Sequence, residues 1–423
     1  MILNIIWTSF FLLAAISALF HVLVLQQTDV LVNIMDSLFS MAKTAFDISI
    51  GLTGVMALWL GLMRIGEAAG AMTFISRLLA PFLQRLFPDI PAGHPAFGAM
   101  IMNLSANVLG LDNAATPLGL KAMQELQELN PEPDTASNAQ IMFLVINTSS
   151  VTLIPVTIFT YLYQLDYPRP TELFIPILIA TSCSTITGLL AVSLYQRINL
   201  LQPRILVYLL GFFAVISVLI SHLLSLDSRQ VQSFSLVLGN TVIFGVIIFF
   251  IILAAVRKVN VYEEFINGAR EGFNVAITII PYLVAMLVAI GVFRASGAMD
   301  MLLGGIETVV KWIAQGLDQL HILSYDGGRP TFIDALPTGL MKPLSGSGAR
   351  GLMIETIKTH GPQALVSKMV AVMQGSTETT FYVLAVYFGS VGIKKTRHAL
   401  TCGLLADTAG IVAAIVICYL FFG

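Results

Sequence analysis

Residues 365–389, LVSKMVAVMQGSTETTFYVLAVYFG, form an apolar stretch whose centre is strongly polar. The stretch has the roughly 20 residues that a transmembrane helix needs, yet an amide, a carboxylate and several hydroxyls interrupt it between Gln374 and Thr380. A carboxylate in the middle of a membrane helix costs roughly 2.5–3.5 kcal/mol on insertion scales, so Glu378 needs a partner, a proton or a cation. The stretch therefore predicts a membrane helix that is interrupted at a functional site.

The composition of the whole chain agrees with a membrane location. Of 423 residues, 57% are hydrophobic and 11% are charged, whereas soluble domains have about 45–50% and about 25%. A net charge of −2 provides no basic surface, so we expect no nucleic-acid partner. The three cysteines form no CxxC pair and the six histidines are scattered, which argues against a disulfide framework and a metal site. No HExxH motif or pair of catalytic carboxylates is evident, and we expect neither an enzyme nor a bound cofactor.

Nine windows are apolar and long enough to span a bilayer. The first is predicted to be a retained spanning helix, because no basic segment precedes it and its apolar run exceeds a signal-peptide core. Two further stretches, 95–130 and 329–362, are broken by Pro, Gly, Asn and Ser and are predicted to be re-entrant hairpins. The predicted fold class is an all-α polytopic membrane protein. The nine windows are 2–25, 44–64, 140–163, 172–195, 204–224, 234–256, 272–295, 365–389 and 398–422.

Basic residues in the loops predict the orientation, because cytoplasmic loops carry an excess of Lys and Arg. The assignment is self-consistent if both hairpins return to the side from which they start. We therefore expect a multi-pass protein of the bacterial inner (plasma) membrane with a cytoplasmic N-terminus. The groups placed in the cytoplasm are Arg64, Arg77 and Arg85, then Arg197 and Arg204, then Arg257, Lys258 and Arg270, and finally Lys394, Lys395 and Arg397.

The chain also contains an internal repeat at a constant offset of 227 residues. Each half reads as two spans, an interfacial helix, a hairpin and two more spans, with one odd helix between the halves. The predicted domains are a first repeat at 1–200, a connecting transmembrane helix at 201–228 and a second, inverted repeat at 229–423. Inverted repeats that meet at broken helices are typical of secondary transporters. The matched residues include Phe46 with Phe273, Gly70 with Gly297, Met142 with Met369, Ser149 with Ser376 and Thr181 with Thr408.

The first hairpin carries polar residues that are costly to bury without partners. One interpretation is a helix N-terminus, capped by Asp112 or Asn113, that satisfies only its own backbone. The other is a helix N-terminus within the membrane whose N–H groups and dipole face a polar or anionic solute. On the second interpretation the solute-binding residues are Asn103, Asn107, Asp112, Asn113 and Thr116.

The second hairpin contains the Gly- and Ser-rich run KPLSGSGAR at 342–350. Small residues allow unusual backbone angles, and exposed amides in such a run can form an anion-binding concavity. A plain glycine-rich turn is the alternative interpretation. The spacing is not that of a P-loop, so ATP binding is not indicated. Ser345 and Ser347 are the candidate binding residues here.

Two spans repeat this polar pattern at corresponding positions. Ser and Thr in membrane helices commonly bond back to the carbonyl four residues earlier, which is the simpler interpretation for most of them. Glu378 is different, and we expect it to couple transport to H⁺ or Na⁺ together with Thr379, its burial favouring a protonated carboxyl. The other candidate binding residues are Asn147, Ser149 and Ser150 in the first span, and Gln374, Ser376 and Thr377 in the second.

With these residues in view, the chain resembles a fusion of the spore maturation proteins A and B. The segments IGLTGVMALWLGLMRIGEAAG (50–70) and MNLSANVLGLDNAATPLGLKAMQELQ (102–127) are similar to protein A. The segments KPLSGSGARGLM (342–353) and MQGSTETTFYVLAVYFGSVGIKK (373–395) are similar to protein B. Both belong to the nucleoside-recognition, or gate, domain group, which includes parts of concentrative nucleoside transporters. The resemblance implies a fold of that type and a membrane transport role, without naming the solute.

The sequence thus leads to a secondary transporter of a small polar or anionic solute, nucleoside-like compounds included, that works by alternating access with H⁺ or Na⁺ coupling. A non-transporting membrane scaffold in envelope or spore maturation is the alternative, and a channel comes third. Matched polar interruptions in both halves favour transport, because a scaffold does not need them. The expected partners are the solute and the lipid bilayer, and a homo-oligomer is compatible with the sequence.

Overall fold

A computed structural model describes residues 2–91, 93–109, 112–149, 152–153, 155–200, 202–319 and 329–423. Over these residues the chain is built from α-helices, with short 3₁₀ segments at Pro170–Leu173 and Thr331–Ala335. The all-α prediction is confirmed. The helices are α1 (Ile2–Leu23), α2 (Asp29–Ala68), α3 (Ala71–Leu86), α4 (Pro95–Val108), α5 (Asp112–Glu128), α6 (Asn138–Ser149), α7 (Val156–Gln164), α8 (Phe174–Gln196), α9 (Pro203–Leu224), α10 (Ser228–Val256), α11 (Val261–Ala295), α12 (Ala298–Gln319), α13 (Leu336–Met341), α14 (Gly346–His360), α15 (Leu365–Ser376), α16 (Thr380–Ser390) and α17 (Ala399–Phe422).

Seven helices of the described chain are long and apolar enough to cross a membrane, and they correspond to seven of the nine windows. Two of them extend well beyond the sequence-based prediction: α2 has 40 residues and α11 has 35. At 1.5 Å per residue, α2 is about 60 Å long, roughly twice the thickness of the hydrocarbon core. The polar first turns of both helices stay helical because the two helices pack against each other. The seven are α1, α2, α8, α9, α10, α11 and α17.

The other two windows do not form single helices. The window at 140–163 becomes α6 and α7, and the window at 365–389 becomes α15 and α16. We call residues 150–155 the first break and residues 377–379 the second break. Each interruption falls where the polar run lies, so the prediction of an interrupted span agrees with the structure for both windows. A polar backbone at such a point needs hydrogen-bond partners from the rest of the protein.

Both predicted hairpins are pairs of helices. The stretch at 95–130 forms α4 and α5, and the stretch at 329–362 forms α13 and α14. Most side chains of α4 and α14 are buried against protein, which is the condition for broken backbone at membrane depth. His94 caps α4 by accepting a hydrogen bond from Ala96 N at 3.2 Å, and Pro95 follows at the first helical position.

Several helix boundaries of the two predicted halves lie 227 residues apart. The first and last residues of α6 and α15 lie 227 positions apart, as do the ends of α2 and α11. Gly70 and Gly297, also 227 apart, precede α3 and α12 with φ angles of 73° and 76°. Such left-handed angles favour glycine, since other residues would be strained there. These four boundaries thus keep the 227-residue offset found in the sequence.

Corresponding helices pack antiparallel. In α2 and α11, Arg64 near the end of α2 bonds Glu264 near the start of α11 at 3.2 Å. In α8 and α17, the end of one helix meets the start of the other where Gln196 contacts His398 at 3.2 Å. Further along this pair Gly188 lies against Ala406, and Gly410 lies against Ser184. Around α8 and α17 lies the largest apolar core, which includes fully buried side chains of α15.

Candidate functional site

The two broken helices cross each other at their breaks. Glu378 N, in the second break, donates a hydrogen bond to Thr148 O at 2.7 Å, at the end of α6. The hydroxyls of Thr148 and Thr380 lie 2.8 Å apart. Backbone groups that leave a helix early must find other partners, and here one break supplies a partner for the other. The crossing fixes both interruptions at one place in the protein.

Each hairpin is hydrogen-bonded to the broken helix that follows it in the sequence. Leu153 N donates to Val108 O at 2.9 Å, which ties the first break to the end of α4. Phe381 N donates to Pro343 O at 3.0 Å, which ties α16 to the turn between α13 and α14. Four segments that are distant in sequence therefore meet at this point.

A cavity of about 240 Å³ opens where these four segments meet. Both hairpin tips contribute to its wall, through Asn107 and Thr116 from the first and Gly346 and Arg350 from the second. Both broken helices contribute as well. The remaining lining residues are Ala115, Asn147, Thr152, Pro155, Val156, Thr157, Ile158, Lys342, Gln374, Gly375, Thr377, Glu378, Tyr382, Val383 and Tyr387.

Among the described residues, the charged groups that line this cavity are Lys342, Arg350 and Glu378. Tyr161 contacts the Arg350 guanidinium in two ways. Arg350 Nη1 donates a hydrogen bond to the Tyr161 hydroxyl at 3.3 Å, and Arg350 Cζ lies over the Tyr161 ring, 5.0 Å from its centroid. Stacking of this kind orients a planar cation without neutralising it. The sequence analysis did not select Lys342 and Arg350. Their position at the two ends of the glycine-rich run was the available signal.

Amide groups form the opposite wall. Asn107 Nδ2 donates to Asn147 Oδ1 at 2.8 Å, and Asn147 Nδ2 donates to Phe143 O at 2.9 Å. Tyr387, a lining residue that the sequence did not single out, donates from its hydroxyl to Asn147 Oδ1 at 3.4 Å. Asn103 lies fully buried behind this wall and donates to Ala115 O at 2.7 Å. Asn103 therefore supports the wall instead of lining it.

Gln374 has a side-chain hydrogen-bond acceptor at the cavity. The residue is buried, lines the cavity and directs Nε2 toward Gly346 O at 3.5 Å. Its Oε1 has no hydrogen-bond partner among the residues that the structure describes. A buried acceptor without a partner costs about 1–3 kcal/mol, so a donor supplied by a bound solute or water would relieve that cost.

Several predicted binding residues have structural partners instead. Ser345 caps α14 by accepting from Gly348 N at 3.0 Å, and Ser347 lies 3.2 Å from its hydroxyl. Ser149 and Ser376 donate back to carbonyls of their own helices, at 2.8 and 2.9 Å, as in the simpler interpretation. Thr379 is buried at the start of α16. Ser150 and the side chains of Asp112 and Asn113 lie outside the described residues.

The expectation that Glu378 is buried is wrong. Its side chain is exposed at the cavity, in the segment between α15 and α16. The buried carboxylate of this region is Asp407 of α17, which has no exposed surface. Thr380 donates to Asp407 Oδ2 at 2.6 Å. The sequence alone does not reveal this role, since one aspartate in an apolar run does not show what it packs against.

Comparison with known proteins finds similar sequences. A family model described as Gate, nucleoside recognition, matches residues 49–164. Spore maturation protein B of Bacillus subtilis (strain 168) is 42% identical over 189 residues, which are 45% of this chain and 95% of that protein. Spore maturation protein A of the same organism is 41% identical over 187 residues, 44% of this chain and 92% of that protein. The chain belongs to the spore maturation protein A/B family. No solved structure matches this chain.

Proposed function

We propose that this membrane protein is a secondary transporter of a small polar or anionic solute. The observation that carries the proposal is the cavity at the crossing of the breaks, lined by both hairpin tips and both broken helices. Transporters of this general design bind their substrates where discontinuous helices meet. Rocking of one half against the other would expose such a site to each side in turn.

The charges and the size of the cavity favour a small anion. In the described part of the chain the charged groups on its wall are Lys342, Arg350 and Glu378, and a guanidinium suits planar recognition of a carboxylate or phosphate. A volume of about 240 Å³ corresponds to about eight waters at ~30 Å³ each. The amides of Asn107, Asn147 and Gln374 would supply polar contacts to the solute. The match to a nucleoside-recognition family model adds nucleoside-like compounds to the candidates.

An inverted repeat would give the two access states. The matched helix boundaries and the antiparallel packing of α2 with α11 and of α8 with α17 support this architecture. On this proposal the A-like half covers 1–200 and the B-like half covers 229–423, with α9 as the connecting helix. The halves would exchange conformations during transport.

The orientation of the protein in the bacterial inner membrane is part of the proposal. Ser235, early in α10, donates to Glu172 O, before α8, at 2.7 Å, so α10 and α8 run in the same direction. On this proposal the loop after α10, with Arg257, and the loop before α17, with Lys394, lie on the same side of the membrane. We expect single cysteines placed beside these two residues to be labelled only from the cytoplasmic side. Opposite sidedness would contradict both the orientation and the repeat.

For coupling, we propose that Glu378 and Thr379 act in the second break with H⁺ or Na⁺ as the driving ion. Glu378 lies on the cavity wall, where an ion and a solute could reach it. The test is Glu378→Gln, which preserves shape and removes the charge. Loss of pH or Na⁺ dependence with retained solute binding would support the role, and unchanged dependence on both would contradict it.

A thermal-shift screen of the purified full-length chain tests the transport proposal. Nucleosides, nucleotides, carboxylates, phosphate and amino acids are added singly, with and without Na⁺, and stabilising compounds are then followed as radiolabelled uptake into proteoliposomes. We expect an anionic or nucleoside-like class to raise the melting temperature and to be taken up. Arg350→Gln should abolish both effects, whereas Arg229→Gln, on an exposed residue of α10, should preserve them. A scaffold would show no shift and no uptake for any class.

A further inference from the structure

Asp407 lies deep within a helix that is long enough to cross the bilayer. It is eight residues from Ala399, the first residue of α17, so it lies about 12 Å along the helix axis. No part of its side chain is exposed. An isolated ionised carboxylate in such a place is costly, and buried carboxylates therefore pair with cations or take up a proton.

Two glycines let the broken helix approach this carboxylate closely. Gly403 and Gly410 lie four residues before and three residues after Asp407, on the same face of α17. A Cβ at Gly403 would lie 2.8 Å from Thr380 Cγ2, and a Cβ at Gly410 would lie 2.7 Å from Thr377 Cγ2. The face therefore fits closely against both sides of the second break. This close packing leaves little room for the six or so oxygen ligands of a hydrated metal ion, but a proton needs no additional space.

One oxygen of the carboxyl has a partner and the other does not. Thr380 Oγ1 donates to Asp407 Oδ2 at 2.6 Å, and Thr148 Oγ1 lies 2.8 Å behind it. Oδ1 is buried and has no hydrogen-bond partner in the described part of the chain. A proton on Oδ1 would neutralise the carboxyl and leave the bond from Thr380 intact.

We propose that Asp407 is the proton-binding residue of this protein, held behind the second break and separate from the carboxylate on the cavity wall. In one access state a hydronium ion transfers one proton to Oδ1, so that an O–H bond of the hydronium breaks as the carboxyl O–H bond forms. In the other state the carboxyl O–H bond breaks and the proton is transferred back to a water molecule. The role in coupling rests on the transport function proposed above. Glu378 then contacts the solute or lies on the path of the proton, and Asp407 binds the proton.

The surrounding charges fit a proton that is released during transport. The charged groups that act on Asp407 among the described residues are Lys342, at the end of α13, and Glu378 in the second break. The elements packed around the carboxyl contribute hydroxyls, from Thr148 of α6, Thr377 of the break and Thr380 of α16. Lys342 and Glu378 also line the cavity. A solute that changes the balance of these two charges would change the affinity of Asp407 for its proton.

Infrared spectroscopy of the full-length chain in lipid nanodiscs tests the site without any solute. A protonated carboxyl has a carboxylic-acid C=O band that an ionised carboxylate lacks. We expect that at neutral pH this band is present in the unmodified protein, is lost in Asp407→Asn and is retained in Glu378→Gln. Thr380→Val, which preserves the carboxyl but removes its donor, should shift the band to higher frequency.

The outcomes separate this inference from the transport proposal. A spectrum of Asp407→Asn that matches the unmodified protein in this region would overturn the proton site, and so would a solute-driven proton flux that survives the substitution. Proton flux is read with a pH-sensitive dye in proteoliposomes, with the compound classes of the thermal-shift screen as probes. Loss of the band in Asp407→Asn without proton flux for any compound would support the proton site and contradict proton-coupled transport. Because Asn has the size and polarity of a protonated Asp, the melting temperature of Asp407→Asn should remain near that of the unmodified chain.

Discussion

The two broken helices share their backbone design but differ in the helix that lies behind each break. Behind the first break, Thr185 of α8 donates its hydroxyl proton to Ser149 O at 2.8 Å, so a neutral group satisfies a neutral carbonyl. Behind the second break, Asp407 of α17 accepts from Thr380 at 2.6 Å. The helix boundaries of α6 and α15 lie 227 residues apart at both ends, yet among the described residues the buried carboxyl lies behind the second break. This difference between the two broken helices supplies a candidate for the coupling proposed above.

The corners where the last helix of each half begins show a second contrast. Glu172, just before α8, is buried, accepts from Tyr167 at 2.5 Å and pairs with Lys368 of α15 at 3.4 Å. The corner before α17 instead has the exposed pair Lys395–Asp134, at 3.5 Å. The pair in the first corner is thus shielded from solvent, whereas the pair in the second corner is open to it.

The largest expected effect comes from Lys368→Met, which leaves the Glu172 carboxylate buried without its cation. Breaking a buried ion pair in this way costs about 3–5 kcal/mol. The matched substitution Lys395→Met should cost less than about 1 kcal/mol, since exposed pairs contribute little. Thermal unfolding in one detergent compares the two variants directly. Equal losses would remove the contrast between the corners, and Lys368→Met/Glu172→Gln should recover part of the larger loss.

Next in size is Gly410→Ala, which tests the close packing on the second break. The new Cβ would lie 2.7 Å from Thr377 Cγ2 and 3.1 Å from Ser376 Oγ, and overpacking of this kind costs about 1–3 kcal/mol. Gly211→Ala in α9 is the control, because a Cβ there meets no atom within 4 Å. We expect a lower melting temperature for Gly410→Ala and an unchanged or higher one for Gly211→Ala. A Gly410→Ala protein as stable as the control would show that the interface is loose.

The sequence predicts the broken helices better than it predicts what surrounds them. The runs at 147–152 and 374–380 are polar within apolar windows, so their interruption could be predicted from composition alone. The cavity could not, because its wall combines Asn107, Lys342 and Glu378 from three segments whose contact depends on the tertiary fold. The same dependence explains why Glu378 was expected to be buried and is exposed. Asp407 is recognisable only once Gly403 and Gly410 are seen to face the break.

A smaller effect separates the two breaks themselves. Thr380→Val removes the donor to a buried carboxyl, which should cost about 1–3 kcal/mol. Thr185→Val removes a neutral hydrogen bond to Ser149 O and should cost about 0.5–1.5 kcal/mol. Both substitutions preserve the side-chain volume, so differences in melting temperature report the lost hydrogen bonds. A larger loss for Thr185→Val would contradict the expectation that the hydrogen bond to Asp407 contributes more to stability than the bond to Ser149 O.

The smallest expected effect is a pH dependence at the corner before α17. Burial, with a lesser contribution from the Arg397 charge, lowers the pKa of His398 below its usual value. Gln196 Nε2 lies 3.2 Å from His398 Nε2, and since the amide can only donate, the imidazole must be neutral to accept. The unfolded chain takes up a proton below about pH 6.5, while the folded corner resists it, so this contribution to stability is present at neutral pH and is lost as the pH falls through that range. Melting temperatures measured from pH 7.5 to 5.5 should therefore fall less steeply for His398→Gln than for the unmodified chain, and parallel curves would show that this corner does not sense acid.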